Sequence, residues 1–157
     1  MTQYEELLDQ AASANVTVLE NHADFSDTNI KGLYCNNFIA LSKDLKNKSE
    51  KACVLAEELG HHYTAFGDII DQSSIENRKQ EQRGRIFAYN KMIGLTGILN
   101  AFKAHCQNRY EIAEYLDVTE EFFEEALQYY RSKYGVSTTI DNYMILFEPL
   151  GVLELYK

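Results

Sequence analysis

A mainly helical α+β domain is the fold class this sequence predicts, and three observations predict it. Short β-prone runs occur only ahead of Ser42 and after Tyr143, while the stretch between them carries apolar residues at helical spacing. The composition is that of a packed globular chain: 157 residues, 45% of them apolar and 12% aromatic, with eleven Tyr, eight Phe and no Trp. Glycine and proline are sparse, and Gly94, Gly97 and the only proline fall where one predicted element gives way to another.

Each element can be justified in order. Tyr4, Leu7, Leu8 and Ala11 form one stripe, which predicts a short helix from Tyr4 to Ala12. Val16 to Leu19, Ile30 to Cys35 and Phe38 to Ser42 are β-prone runs parted by polar turns, among them Asn36-Asn37, and predict a small sheet. Ser49 is the expected cap of the next helix, whose packed positions are Ala52, Cys53, Leu55, Ala56, Leu59 and Gly60. A longer helix is expected from about Ser74 to Ile93 and another from about Gly97 to Cys106, with Gly94 and Gly97 marking the break. Tyr110 to Tyr134 reads as two helices around Leu116 to Thr119. Tyr143 to Phe147 and Val152 to Tyr156 read as a terminal hairpin whose turn carries the only proline. Residues 1–106 and 107–157 are the expected parts of a single compact unit.

Charge and cysteine usage narrow the function classes. A net charge of -9 opposes a general phosphate-binding surface, because neutralising a nucleic-acid backbone needs clustered Lys and Arg, so no direct nucleic-acid binding is expected. Cys35, Cys53 and Cys106 cannot all pair and show no C-x-x-C spacing, as expected of buried thiols in a reduced cytoplasm. The acidic start MTQYEELLDQ is not a secretory signal, and no apolar run approaches the ~20 residues that cross a bilayer, so no membrane role is expected.

The stretch LAEELGHHYT, Leu55 to Thr64, carries the chemistry. It nearly reads as the zinc-protease signature H-E-x-x-H, with Glu57 where the first histidine should be. Residues four apart share a helix face, so Glu57 and His61 can grip one ion while Glu58 points beside it. A carboxylate oxygen binds zinc at nearly the distance of an imidazole nitrogen, and makes the site harder and more anionic. The same spacing also serves ordinary ion pairs, Glu57 with His61 and Glu58 with His62. Gly60 costs on the order of 1 kcal/mol inside a helix relative to Ala, which implies that another element comes close there.

With Ala56, Glu58, Leu59, Gly60, His61 and His62 in place, the stretch resembles the A-H-E-L-G-H-H core of the ImmA/IrrE metallopeptidases, intracellular proteins of phages and mobile elements. Ile30-Lys-Gly-Leu-Tyr34 with Phe38-Ile-Ala-Leu41 resembles that family's strand pair ahead of the metal helix, and Gly84-Arg-Ile-Phe87-Ala88 its second-helix segment A-x-x-F-A. Many members carry the third ligand as a glutamate just before that segment, where this chain has Arg83. The resemblance implies a zincin-like helix packed on a short sheet, a divalent metal (Zn2+, or Mn2+), and peptide hydrolysis with Glu58 as general base. The metal ligands it implies are Glu57, His61 and a third residue, for which Glu81, three residues before Gly84, is the first choice and Asp68, Asp71 and Glu76 are alternatives. His62 is a further ligand, an orienting residue or a helix-surface histidine.

Tyr110 to Leu127 has helix-turn-helix spacing, with Ala113 allowing close crossing and Leu116, Val118 and Phe123 packing the pair. Its second helix presents Glu120, Glu121, Glu124 and Glu125, which repel phosphate and suit a basic protein partner. The resemblance implies a repressor-type DNA-binding protein as substrate or target. A binding module that antagonises such a repressor without cleaving it is the alternative.

Overall fold

In the computed structural model the described residues are 1–23, 30–64 and 74–156. They form a mainly helical α+β fold that divides into two compact units, Met1–Ala88 and Tyr89–Lys157.

The first unit opens with α1 (Gln3–Ser13). Thr2 and Glu5 close a reciprocal capping box at its start, satisfying two amides the first turn leaves without partners. Tyr4, Leu7 and Ala11 are the buried stripe, and the Tyr4 hydroxyl reaches Glu20 on the first strand. Strands β1 (Thr17–Ala23), β2 (Gly32–Cys35) and β3 (Phe38–Ser42) make a sheet in the order β1-β3-β2, with β1 parallel and β2 antiparallel to β3. Asn36 and Asn37 join β2 to β3 with φ of 47° and 66°, the left-handed pair that a tight two-residue hairpin requires.

Helix α2 (Lys48–Thr64) packs on this sheet and on α1. Its cap is Asn47, whose Oδ1 accepts from the Glu50 amide at 2.9 Å, so the expected cap at Ser49 is corrected by two residues. The amide a cap must satisfy lies three residues on, and Asn47 is the residue with that reach. All six packed positions expected in this helix are buried, and Leu55 and Leu59 are fully so, each contributing about 1.5–3 kcal/mol by removal from water. Helix α3 (Ser74–Met92) follows and carries the division between the units.

In the second unit α4 (Gly94–Lys103) begins three residues before the expected start. Gly94 alone makes the break, at φ +64°, while Gly97 lies inside the helix with its bare face toward Leu116. Helices α5 (Arg109–Leu116) and α6 (Glu120–Tyr134) are capped by Asn108 and Thr119, with Asp117 left-handed between them. Ala113, Leu116, Val118 and Phe123 are all buried, as the helix-turn-helix spacing requires. The expected terminal hairpin is part of a three-stranded antiparallel sheet, β4 (Ser137–Ile140), β5 (Tyr143–Phe147) and β6 (Leu150–Glu154). The stretch Ser137-Thr-Thr-Ile140, three of its four residues β-branched, supplies the added strand. Cys53 is buried as expected, whereas Cys35 is exposed because it alternates with Tyr34 onto the outer sheet face.

No described helix is long and apolar enough to cross a membrane.

Candidate functional site

The site is built from residues of the first unit, where α2 meets β2 on one side and the Gly84 stretch of α3 on the other. The contact with α3 is made by two glycines. A Cβ on Gly60 would lie 2.6 Å from the Gly84 carbonyl oxygen and 2.9 Å from its Cα. A Cβ on Gly84 would lie 2.7 Å from Cε1 and 3.0 Å from Nδ1 of His61. The close approach that Gly60 implied is therefore made to α3, and it seats the His61 ring on the bare backbone of Gly84.

That seating aims His61 at Glu81, one turn earlier on α3. Nε2 of His61 and Oε1 of Glu81 are 3.5 Å apart. Burial works against a charged His61 ring, yet the hydrogen bond it donates to Glu81 and the charges of Glu58, Glu81 and Glu57 outweigh it and leave the ring more basic than usual. Glu81 is correspondingly more acidic than usual, chiefly through the same hydrogen bond, despite partial burial.

Glu58 lies on the β2 side. It is 8% exposed, and burial pushes its carboxyl up to about 7, with Glu57 and Glu81 adding to the rise and His61 opposing it. Gly32 lets the strand come down over it: a Cβ there would lie 2.7 Å from Val54 Cγ1 and 3.2 Å from Glu58 Oε1. A general base needs this kind of environment, because a carboxyl with a proton affinity near neutral takes and returns protons efficiently.

His62 is engaged elsewhere. Its Nδ1 is 2.8 Å from the Tyr34 hydroxyl, and its ring makes edge contacts with Tyr34 and Tyr63 at centroid separations of 5.5 and 5.0 Å. Tyr63 stacks in turn on Phe87 of α3 at 5.4 Å. Tyr34 escaped the sequence reading, although strand alternation could have found it: once Gly32 faces α2, Tyr34 must do so too.

The comparisons with known proteins decide the lineage. The Peptidase_M78 model, described as the IrrE N-terminal-like domain, matches residues 11–128, from α1 to well into α6. The chain belongs to the Peptidase_M78 family. No curated protein and no solved structure matches it.

A Peptidase_M78 domain is metallopeptidase-like, which implies a divalent metal, and the residues present can be tested against one. Ligands about 2.0–2.2 Å from a tetrahedral zinc ion stand roughly 3.4 Å apart, so the 3.5 Å between His61 and Glu81, an ion pair as it stands, is also a spacing that two donors to one ion would have. The donor chemistry, one imidazole nitrogen with carboxylate oxygens, also suits zinc or manganese. Among the described residues no group of three or more His, Cys, Asp or Glu is arranged to hold a metal. Glu57 stands one turn before His61 on the same helix and close enough for its charge to act on both His61 and Glu58. Asp68 and Asp71 lie outside the described residues, as does the side chain of Glu76. Thus the structure brings His61 and Glu81 together with Glu58 beside them, and it gives His62 a different set of neighbours.

Proposed function

We propose that this Peptidase_M78 protein is a metal-dependent endopeptidase of the cytoplasm that acts on a repressor-type DNA-binding protein. The observation that carries the reading is the 3.5 Å convergence of His61 Nε2 and Glu81 Oε1 next to a buried Glu58. In it, His61, Glu81 and Glu57 would hold zinc, or manganese in its stead. A bound ion supplies polarisation of the scissile carbonyl and acidification of water. Glu58 takes the proton from the attacking water at its carboxylate and returns it to the leaving amine nitrogen. Its burial keeps that exchange away from bulk solvent.

The partner class rests on charge. Glu120, Glu121 and Glu125 line the exposed face of α6, with Glu124 beside them holding Arg109, and exposed Tyr110 and Tyr115 flank Glu111 and Glu114 on α5. Such a face repels nucleic acid and attracts a basic protein surface of the kind DNA-binding proteins carry. The decisive experiment mixes the zinc-loaded protein with a basic helix-turn-helix repressor and reads new chain ends by mass spectrometry, with Glu58→Gln as control. Cleavage by the wild type alone supports the reading. Binding without cleavage supports the second reading, an anti-repressor acting by contact, which Glu57 in place of a histidine favours.

A further inference from the structure

The corner between α4 and α5 leaves a groove in the second unit. Helix α4 ends at Lys103, the chain turns through His105 at φ +68°, and α5 begins at its cap, Asn108. Phe102 from the first helix, Tyr110 and Ile112 from the second, and Pro149 and Leu150 from the turn between β5 and β6 line a space of about 530 Å³. That volume is in the range of ligand sites and is more than one side chain fills.

Polar groups in the lining are already engaged. Asn108 Oδ1 accepts from the Glu111 amide at 2.9 Å as the cap of α5, and the Gln107 amide donates to Glu111 Oε2 at 2.7 Å. Arg109, the one charged side chain lining the groove, donates to both oxygens of Glu124, at 2.5 and 2.6 Å. A small charged ligand therefore meets no unpaired charge there. What the groove offers is mainly apolar surface, with Tyr110, 60% exposed, among its walls.

The surroundings are acidic. Gln107 to Glu125 holds one cation, Arg109, against seven carboxylates. Residues one turn apart share a helix face, so Glu114 stands beside Tyr110 on α5, and Glu120 and Glu121 stand beside Glu124, which Arg109 ties to the groove. Of the charges flanking the lining in sequence, Lys103 sits over the Tyr143 ring and Glu148 pairs with Arg131, leaving the carboxylates of α5 and α6 in excess. We propose that the groove is a docking site for a basic polypeptide segment, which seats a large apolar side chain in it and sets its Lys and Arg against Glu114, Glu120 and Glu121. The proposal deepens the partner reading above and rests on it, but it needs neither metal nor cleavage. An apolar anchor in a pocket ringed by complementary charge is how a few residues come to carry an interface. A nucleic acid is repelled by the same carboxylates.

The test measures binding by fluorescence anisotropy, with the full chain and two labelled probes: a lysine-rich peptide with a central pair of leucines, and its copy with serines there. The leucine peptide should bind the wild type about tenfold more tightly than the serine copy, the preference a buried leucine supplies. Tyr110→Ser, at an exposed position, should keep the wild-type circular dichroism and lose most of that preference. Glu114→Lys should weaken both peptides alike and reduce the salt dependence of binding. Amide NMR shifts on adding the leucine peptide should centre on Phe102, Ile112 and Leu150. Equal affinity for the two peptides, or tighter binding of a glutamate-rich copy, would overturn the docking site. So would a dimer of this chain that Tyr110→Ser dissolves, which would give the groove to a second copy. Repressor cleavage without a leucine preference sinks the docking site alone, and leucine-selective binding without cleavage sinks the peptidase reading alone.

Discussion

The Cβ that Gly84 lacks would fall 2.7 Å from Cε1 of His61, so the histidine aimed at Glu81 rests on a position where no side chain fits. Gly84→Ala should displace the ring, weakening zinc binding and the His61–Glu81 pair together. Isothermal titration with zinc would show the loss, while the NMR signals of the second unit should not move.

Gly60→Ala tests the same crossing from the other helix. Alanine gains roughly 1 kcal/mol in helix propensity, but its methyl would meet Gly84 backbone at 2.6 and 2.9 Å, which no rotamer change relieves. Overpacking costs about 1–3 kcal/mol, and the propensity gain does not cover backbone collision, so the variant should unfold at lower denaturant than the wild type. Equal or greater stability would mean the helices are not in contact there.

Glu58 gives metal-free protein a pH signature. Its native pKa, about 7, lies above the ordinary 4.5, so between those values the folded state holds a proton that the unfolded chain has released. The stabilisation is complete below pH 4.5 and is lost as pH rises through 7, an effect on the order of 3 kcal/mol. His61, also more basic in the fold, acts in the same direction near neutrality. Urea unfolding of metal-free wild type from pH 5 to 8 should show falling stability, and Glu58→Gln should flatten most of the slope.

Tyr130 provides a control away from the site. Its buried hydroxyl donates to Asn90 Oδ1 at 3.0 Å and accepts from the Gly94 amide at 3.1 Å, holding the start of α4. Tyr130→Phe should cost about 1 kcal/mol by leaving both groups to find water. Zinc binding and peptide cleavage should be unchanged.

Much of this was legible in the sequence because local chemistry agreed with tertiary packing. The helix bearing Glu57, Glu58, His61 and His62 could be read from its apolar spacing, and Gly60 announced a close neighbour before that neighbour was known. Glu81 stood out as a candidate third ligand because it lies close to the Gly84 stripe, and it is found 3.5 Å from His61 as an ion pair. What escaped depends on partners distant in the chain. Nothing local distinguishes Tyr34 from other strand tyrosines until α2 lies across β2, and His62 looked like a partner for Glu58 because spacing alone knows nothing of the strand. Strand β4 was missed because Ser137 to Ile140 is short and only half-buried, so it lacks the clean alternation of a core strand.

The most direct test of the account is metal content, measured by mass spectrometry on protein purified without chelator or histidine tag. The expected result is about one zinc or manganese per wild-type chain, lost in Glu57→Ala, His61→Ala and Glu81→Ala and retained in Glu58→Gln. A wild-type protein that takes up no metal even after zinc is added would contradict it, and would leave His61 and Glu81 as a structural ion pair in a protein that acts by binding.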